Sequence, residues 1–155
     1  MGLENHWKTA QTLFLLLVIP MILYGCELWA SSTSDMQWRQ IEKIQKRLIT
    51  NKFKTKSAVS YGILLSETRT APIEAIAMVR VIRYLKRKIE KMEEGRWPKV
   101  VFNDRLCKSK KTWMQQNDKW FSKWGICLNA CPINSEEIKT FVMEKFHKRT
   151  WDKEL

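Results

Sequence analysis

PIEAIAMVRVIRYLKRKIEKMEE, residues 72–94, is the most regular stretch of the chain and decides its fold class. Met78, Val81, Ile82, Leu85, Ile89 and Met92 recur at three- and four-residue spacings, which puts them on one side of an α-helix. Arg80, Arg83, Arg87 and Lys91 fall on the opposite side. Pro72 suits the first helical position, where its missing N–H would have no partner anyway. Glu74 follows in the first turn, where the helix dipole favours an acid, and Gly95 supplies a stop. The spacing predicts a helix over 72–94, with its Met and Leu stripe in a core and its cations outside.

The same design recurs upstream. Residues 31–35 are a short polar break, and Ser34 with Gln37 three residues on forms a capping-box pattern. A helix over 35–52 is expected to follow. Trp38, Ile41, Ile44, Leu48 and Ile49 share one side, while Arg39, Lys43, Lys46 and Arg47 share the other. Lys52, Lys54 and Lys56 alternate through the exit. Between residues 36 and 60 seven Lys or Arg face a single acid, Glu42. A merely solubilising face interleaves both signs, because like neighbours repel, so this one points to a polyanion. If both apolar stripes share one core, both basic faces turn to solvent and line one groove.

The remaining segments also read as helical. Ser57 or Ser60 is placed to start a short helix carrying Tyr61, Leu64 and Leu65, with 68–71 as a loop. After Arg96-Trp97-Pro98, Ser109 is the expected cap of a helix that reaches Trp124, with Gly125 as its stop. Trp113, Asn117, Trp120, Phe121 and Trp124 share one face of it. Asn134 with Glu137 starts a last helix whose inner face is Ile138, Phe141, Val142 and Phe146, with Trp151 near the end. The spacing of the tryptophans near Lys119 and Lys123 favours core over a platform for stacking bases.

Composition agrees. The 155 residues suit one domain, and 45% hydrophobic with 28% charged residues excludes wholesale disorder. Five Gly and four Pro are too few for a collagen-like chain or a many-turned β-sandwich. The fold class expected is all-α. The net charge is +12, and residues 1–35 contribute none of the excess, holding Lys8 against Glu4, Glu27 and Asp35. Such a charge attracts nucleic acid or an anionic membrane surface.

Residues 13–24 are twelve uncharged, mostly apolar residues, short of the roughly 20 that cross a bilayer. Their flanks do not make a signal peptide: Glu4 accompanies Lys8, and bulky Leu28 precedes Ala30 where a small residue is wanted. The run is therefore expected to be a buried core helix of an intracellular protein of cytoplasm or nucleus. Pro20 should kink or break it near Ile19, and Gly25 should mark a close approach or a bend.

Candidate chemistry is sparse. There is no Gly-rich phosphate loop, no HExxH and no paired acidic metal site. His6 and His147 are the only histidines. Cys26, Cys107, Cys127 and Cys131 are unevenly spread and read as reduced thiols. Cys127 and Cys131 with Cys107 and His147 make four candidate zinc ligands, but their spacing matches no common knuckle. No metal, cofactor, catalytic residue or small-molecule substrate is indicated.

The string Ile19-Pro20-Met21-Ile22-Leu23-Tyr24-Gly25-Cys26-Glu27-Leu28-Trp29 resembles a recurring segment of non-LTR (LINE-type) retrotransposon reverse transcriptases, roughly Pro-x-x-Leu-Tyr-Gly-x-Glu-x-Trp, found downstream of the polymerase palm. Ile41-Glu42 through Gln45 to Leu48 is similar to that family's next helix. Leu65-Ser66-Glu67 through Pro72-Ile73 is similar to its following element, and Arg83-Tyr84 to Met92 to the helix after it. Trp113, Trp124-Gly125, Phe141 and Trp151 fit the pattern beyond more loosely. The paired aspartates of the polymerase, the N-terminal endonuclease and the C-terminal Cys-Cys-His-Cys knuckle are absent from the 155 residues. Thr50-Asn51-Lys52-Phe53 stands where the family often has a glycine-containing turn.

The resemblance implies a thumb-like irregular bundle over 1–95 and a looser, linker-like helical region over 96–155, without the catalytic palm and so not an enzyme by itself. It implies a grip on the backbone of RNA or an RNA/DNA duplex, with the missing palm domain as a further partner. Arg39, Lys43, Lys46, Arg47, Arg80, Arg83, Arg87 and Lys91 would then neutralise phosphates, which positions a duplex without reading its sequence. The rivals are a remnant reading frame without selected function and a basic membrane-associated protein anchored by residues 13–24.

Overall fold

The computed structural model describes residues 2–56, 58–103 and 112–154, with side chains described between residues 6 and 148 of these. Every regular element among them is helical. The all-α reading holds.

α1 (Gly2–Leu13) runs through a π-helical turn (Phe14–Val18) into α2 (Ile19–Ile22). The expected break at Pro20 takes this form. Pro20 has no N–H to give to the preceding turn, and the wider π turn just before it absorbs the ring without ending the rod. Gly25, in the left-handed conformation at φ 62°, then bends the chain into α3 (Cys26–Trp29), and the axis turns by 57°.

α4 (Asp35–Phe53) opens with the expected capping box. The Gln37 N–H donates to Ser34 Oγ, and the Ser34 N–H donates to Gln37 Oε1. The helix ends at Lys54, which adopts the left-handed conformation at φ 51°. A lysine thus does the work of a glycine at the turn after Phe53. α5 (Tyr61–Thr68) begins after Ser60; Ser57 lies outside the described residues.

α6 (Ile73–Tyr84) continues as a π-helical turn (Leu85–Ile89) and stops there. The expected helix to residue 94 is thus about a turn too long, and Pro72 is the cap rather than the first helical residue. The π turn inserts an extra residue into the repeat. Leu85 and Ile89 both stay fully buried through it. Lys91 accordingly lies beyond the helix, in the turn that follows.

α7 (Trp97–Asn103) and α8 (Trp113–Lys123) follow. The cap of α8 is Thr112 in a capping box with Gln115; Ser109, the expected cap, lies outside the described residues, as does Cys107. Gly125 at φ 65° closes α8, and the Ile126 N–H returns to the Phe121 carbonyl at 3.0 Å. α9 (Ser135–Glu154) starts at Asn134, whose Nδ2 donates to Glu137 Oε1. Ile138, Val142 and Phe146 are its buried face and Phe141 is half-buried. The side chain of Trp151 is outside the described set.

α6 is the central helix. Ile73, Ala75, Ala77, Met78, Val79, Val81 and Ile82 are all buried, which covers most of its circumference rather than one stripe. α3, α4 and α9 pack against it. The core extends from Phe14 to Phe146 without interruption, so the regions expected as 1–95 and 96–155 share it. Tryptophans join them: the Trp38 and Trp120 rings stack 5.9 Å apart and 4° from parallel, and Trp124 stacks on Phe146 at 3.7 Å. Trp120 Nε1 and Trp124 Nε1 both donate to Glu74 Oε1, at 2.9 and 3.0 Å. These two indoles thus satisfy their donors on one buried carboxylate, whereas Trp38 Nε1 is buried with no hydrogen-bond partner. A smaller cluster of Trp7, Ile49, Leu64 and Leu65 fastens α1 to α4 and α5.

The run 13–24 departs from expectation. Phe14, Ile19 and Leu23 are core, but Leu16, Leu17, Met21 and Tyr24 are 60–86% exposed, and Leu13 and Leu28 are exposed beside them. Only one side of the rod meets α6 and its neighbours, so its other side remains apolar and outside. Among the described residues no single helix is long and apolar enough to cross a membrane.

Candidate nucleic-acid interface

The first basic face lies on α4. Its inward side is fixed by Trp38, Gln45 and Ile49, all buried. Gln45 is tied at both ends: its Nε2 donates to the Ala71 carbonyl at 2.9 Å and its Oε1 accepts from the Tyr61 hydroxyl at 2.6 Å. With that side anchored, helical spacing turns Arg39, Lys43 and Arg47 outward. All three are exposed, and Lys46 is half-buried at the edge of the face.

Glu42 is the one acid of this stretch, and it is half-buried. It bonds the backbone at Glu74, in the first turn of α6. Burial, and then the neighbouring Glu74 charge, push its carboxyl up to about 7; the Glu74 backbone bond and Lys123 oppose them. The single carboxyl between residues 36 and 60 is thus directed at a helix start, and Asp35, the other acid of α4, pairs with Lys123 at the first turn.

The second expected face divides. Arg87 and Lys91 are exposed, but Arg80 and Arg83 are half-buried. These two arginines help to line a cavity of about 470 Å³ between α1, α4, α6 and α9. Arg83 Nη2 donates to the Ser135 carbonyl at 2.8 Å, while its Nε is buried without a hydrogen-bond partner. The α4 wall of this cavity is Gln45 and Leu48, on the side of α4 away from Arg39, Lys43 and Arg47. The two basic faces therefore do not line one groove. α6 is central, so its cations have helices over them, whereas α4 lies at the edge.

Sequence reasoning missed two cations of the cavity, Arg69 and Lys139. They come from the turn after α5 and from α9, about 70 residues apart, and no local spacing connects them. Lys86, near the arginine row, is buried and pairs with Glu90 at 3.5 Å.

Among the described residues Cys26, Cys127 and Cys131 are free thiols, and Cys131 Sγ donates to the Cys127 carbonyl at 3.3 Å. Cys26 is fully buried, its thiol pushed up by burial to about 12. Cys131 is pushed up by burial to about 11, while Cys127 and His147 are exposed. A raised thiol opposes the thiolate that zinc requires. Among the described residues no group of three or more His, Cys, Asp or Glu is placed to hold a metal ion.

No family model matches the chain, and no curated protein or solved structure is similar to it.

Proposed function

We propose that this chain is a thumb-like and linker-like part of a LINE-type reverse transcriptase without the catalytic palm, and that it holds a nucleic-acid backbone without sequence preference. The observation that supports the reading most is the excess of exposed cations on the outer face of α4. Arg39, Lys43 and Arg47 stand in solvent there, and the two acids of α4 are engaged elsewhere, Glu42 with the start of α6 and Asp35 with Lys123. Exposed Lys54 and Lys56 extend that charge past the helix end. Arg87 and Lys91 offer a second exposed pair, and Arg80 and Arg83 a recessed one. Phosphates on such a surface release counterions, which gives affinity that falls with salt and carries no base code. The palm would be the natural partner for polymerisation, and this chain by itself is not an enzyme in this reading.

The test is fluorescence anisotropy of an unrelated RNA/DNA duplex titrated with the full chain at several salt concentrations. With Arg39, Lys43 and Arg47 replaced by Ala, the log–log slope should flatten by nearly 3, at about 0.9 per duplex phosphate contact. An unchanged slope in a folded triple variant would remove α4 from the interface. A second reading, attachment to a membrane surface, is favoured by exposed Leu13, Leu16, Leu17, Met21, Tyr24 and Leu28. Repeating the titration with anionic vesicles in place of duplex separates the two: the membrane reading requires binding that Leu16→Ser with Leu17→Ser abolishes and the α4 triple change leaves.

A further inference from the structure

We infer that the cavity between α1, α4, α6 and α9 is a binding site for a single-chain anionic amphiphile, a carboxylate or phosphate head on an alkyl tail. This goes beyond nucleic-acid binding and does not rest on it.

Three observations carry the inference. First, size: at about 470 Å³ the cavity lies within the ordinary range for small-ligand pockets, roughly 300–1,000 Å³. Second, charge: Arg69, Arg80, Arg83 and Lys139 line it against one acid, Glu136. Four cations held around one space repel each other, and the arrangement favours an anion that neutralises them. Arg83 adds an unmet demand, because its Nη2 is satisfied by the Ser135 carbonyl while its buried Nε has no partner. A buried donor left unsatisfied costs free energy. Third, the walls: Trp7, Phe14, Leu48, Ile76, Val79 and Met143 are apolar and come from four different helices.

These walls favour an alkyl tail over a nucleotide base. Reading a base edge needs free donors and acceptors. Gln45 already uses both ends of its amide on Ala71 and Tyr61, and the Thr70 hydroxyl is bonded to Thr68 at 2.8 Å, which leaves the half-buried Gln11 as the neutral amide of the lining. The entrance is marked by the lining residues that remain exposed, Arg69, Lys139, Glu136 and Leu15. A head group there would meet two cations against one acid, with Arg80 and Arg83 further in, and its tail would follow onto the apolar walls.

The experiment is isothermal titration calorimetry of the full chain with decanoate, decyl phosphate, decanol and deoxyadenosine monophosphate, each below any micelle-forming concentration. The expected result is one site per chain for decanoate or decyl phosphate, with decanol at least about tenfold weaker because it lacks the charge worth 1.4 kcal/mol or more. Preference between the two anions distinguishes a fatty acid from a phosphorylated lipid. Arg80→Met and Arg83→Met should each lower affinity about tenfold or more with an unchanged circular dichroism spectrum, and Met143→Trp should block the tail while keeping every cation. No saturable binding, equal binding of decanol, or tighter binding of the nucleotide than of both alkyl anions would overturn the proposal. Duplex affinity of Met143→Trp keeps the two readings apart: it should stay at the wild-type value whether or not the amphiphile binds.

Discussion

On α4 the cations Arg39, Lys43 and Arg47 stand in solvent, whereas on α6 Arg80 and Arg83 are half-buried beneath α1 and α9. In sequence the two helices carry the same pattern, an apolar stripe opposed by a basic one. Their neighbours make the difference. α4 packs through one side, and its inward residues are Trp38, Gln45 and Ile49. α6 is surrounded, so even Ala75, Val79 and Glu74 are buried on it. A hydrophobic period tells which side of a helix goes inward; it does not tell how much of the rest is covered.

The sharpest way to test this contrast is to remove the same atoms from both helices. Ile82 on α6 is fully buried, while Ile44 on α4 is 47% exposed. Ile82→Ala should lower unfolding stability by about 3–4 kcal/mol, the cost of lost burial plus the cavity left behind. Ile44→Ala should cost about 1 kcal/mol or less. Urea unfolding followed by circular dichroism measures both. Similar losses would mean that α4 is as enclosed as α6, and the exposed face assigned to it would be wrong.

A second test acts where the two helices meet. Glu42 on α4 has its carboxyl pushed up to about 7, chiefly by burial and then by the charge of Glu74 on α6. In the unfolded chain the group titrates near 4.5. Between those values the native state keeps a proton that the unfolded state has released, so stability falls as pH rises through this window. Above pH 7 the penalty is complete. Glu42→Gln keeps an oxygen for the Glu74 backbone and has no charge to bury. It should stabilise the protein by about 2 kcal/mol at pH 8 and leave it unchanged below pH 4.5. Thermal melts of both proteins at several pH values measure this. A gain of the same size at every pH would show that something other than the titration of Glu42 is responsible.

What could be read from the sequence follows from the same contrast. Ser34 with Gln37, the bend at Gly25, the stop at Gly125 and the inner face of α9 were all legible, because each depends on neighbours a few residues away. The outward cations of α4 were legible for that reason too, since Trp38 and Ile49 alone orient the helix. The end of α6 was not: Met92 continues the apolar period, but the π turn at Leu85–Ile89 spends the last buried positions sooner. The cavity was invisible because Trp7, Arg69, Arg80 and Lys139 belong to four distant segments. The apolar run 13–24 misled most. Its composition suits a core, yet packing uses only Phe14, Ile19 and Leu23 fully and leaves Leu16 and Leu17 outside. Composition measures what a segment is able to bury, and the number of neighbours decides what it does bury.

The smallest expected effect concerns the exit of α4. Lys54 holds a left-handed backbone at φ 51°, and the Thr55 N–H returns to the Thr50 carbonyl at 3.1 Å. A side chain in that conformation costs roughly 1–2 kcal/mol, because its Cβ crowds the following carbonyl. Glycine avoids the clash but gives the unfolded chain more freedom, which returns part of the gain. Lys54→Gly should therefore stabilise the protein by about 0.5–1 kcal/mol. It also removes one cation from the proposed interface without touching the fold of α4. If Lys54 meets a phosphate, the salt slope for duplex binding should flatten by about 0.9 while stability rises. The two readouts thus move in opposite senses, more stable and less salt-dependent. A variant that is less stable than wild type would mean that the turn needs the lysine side chain. A more stable variant with an unchanged slope would confine the α4 interface to Arg39, Lys43 and Arg47, upstream of the helix end.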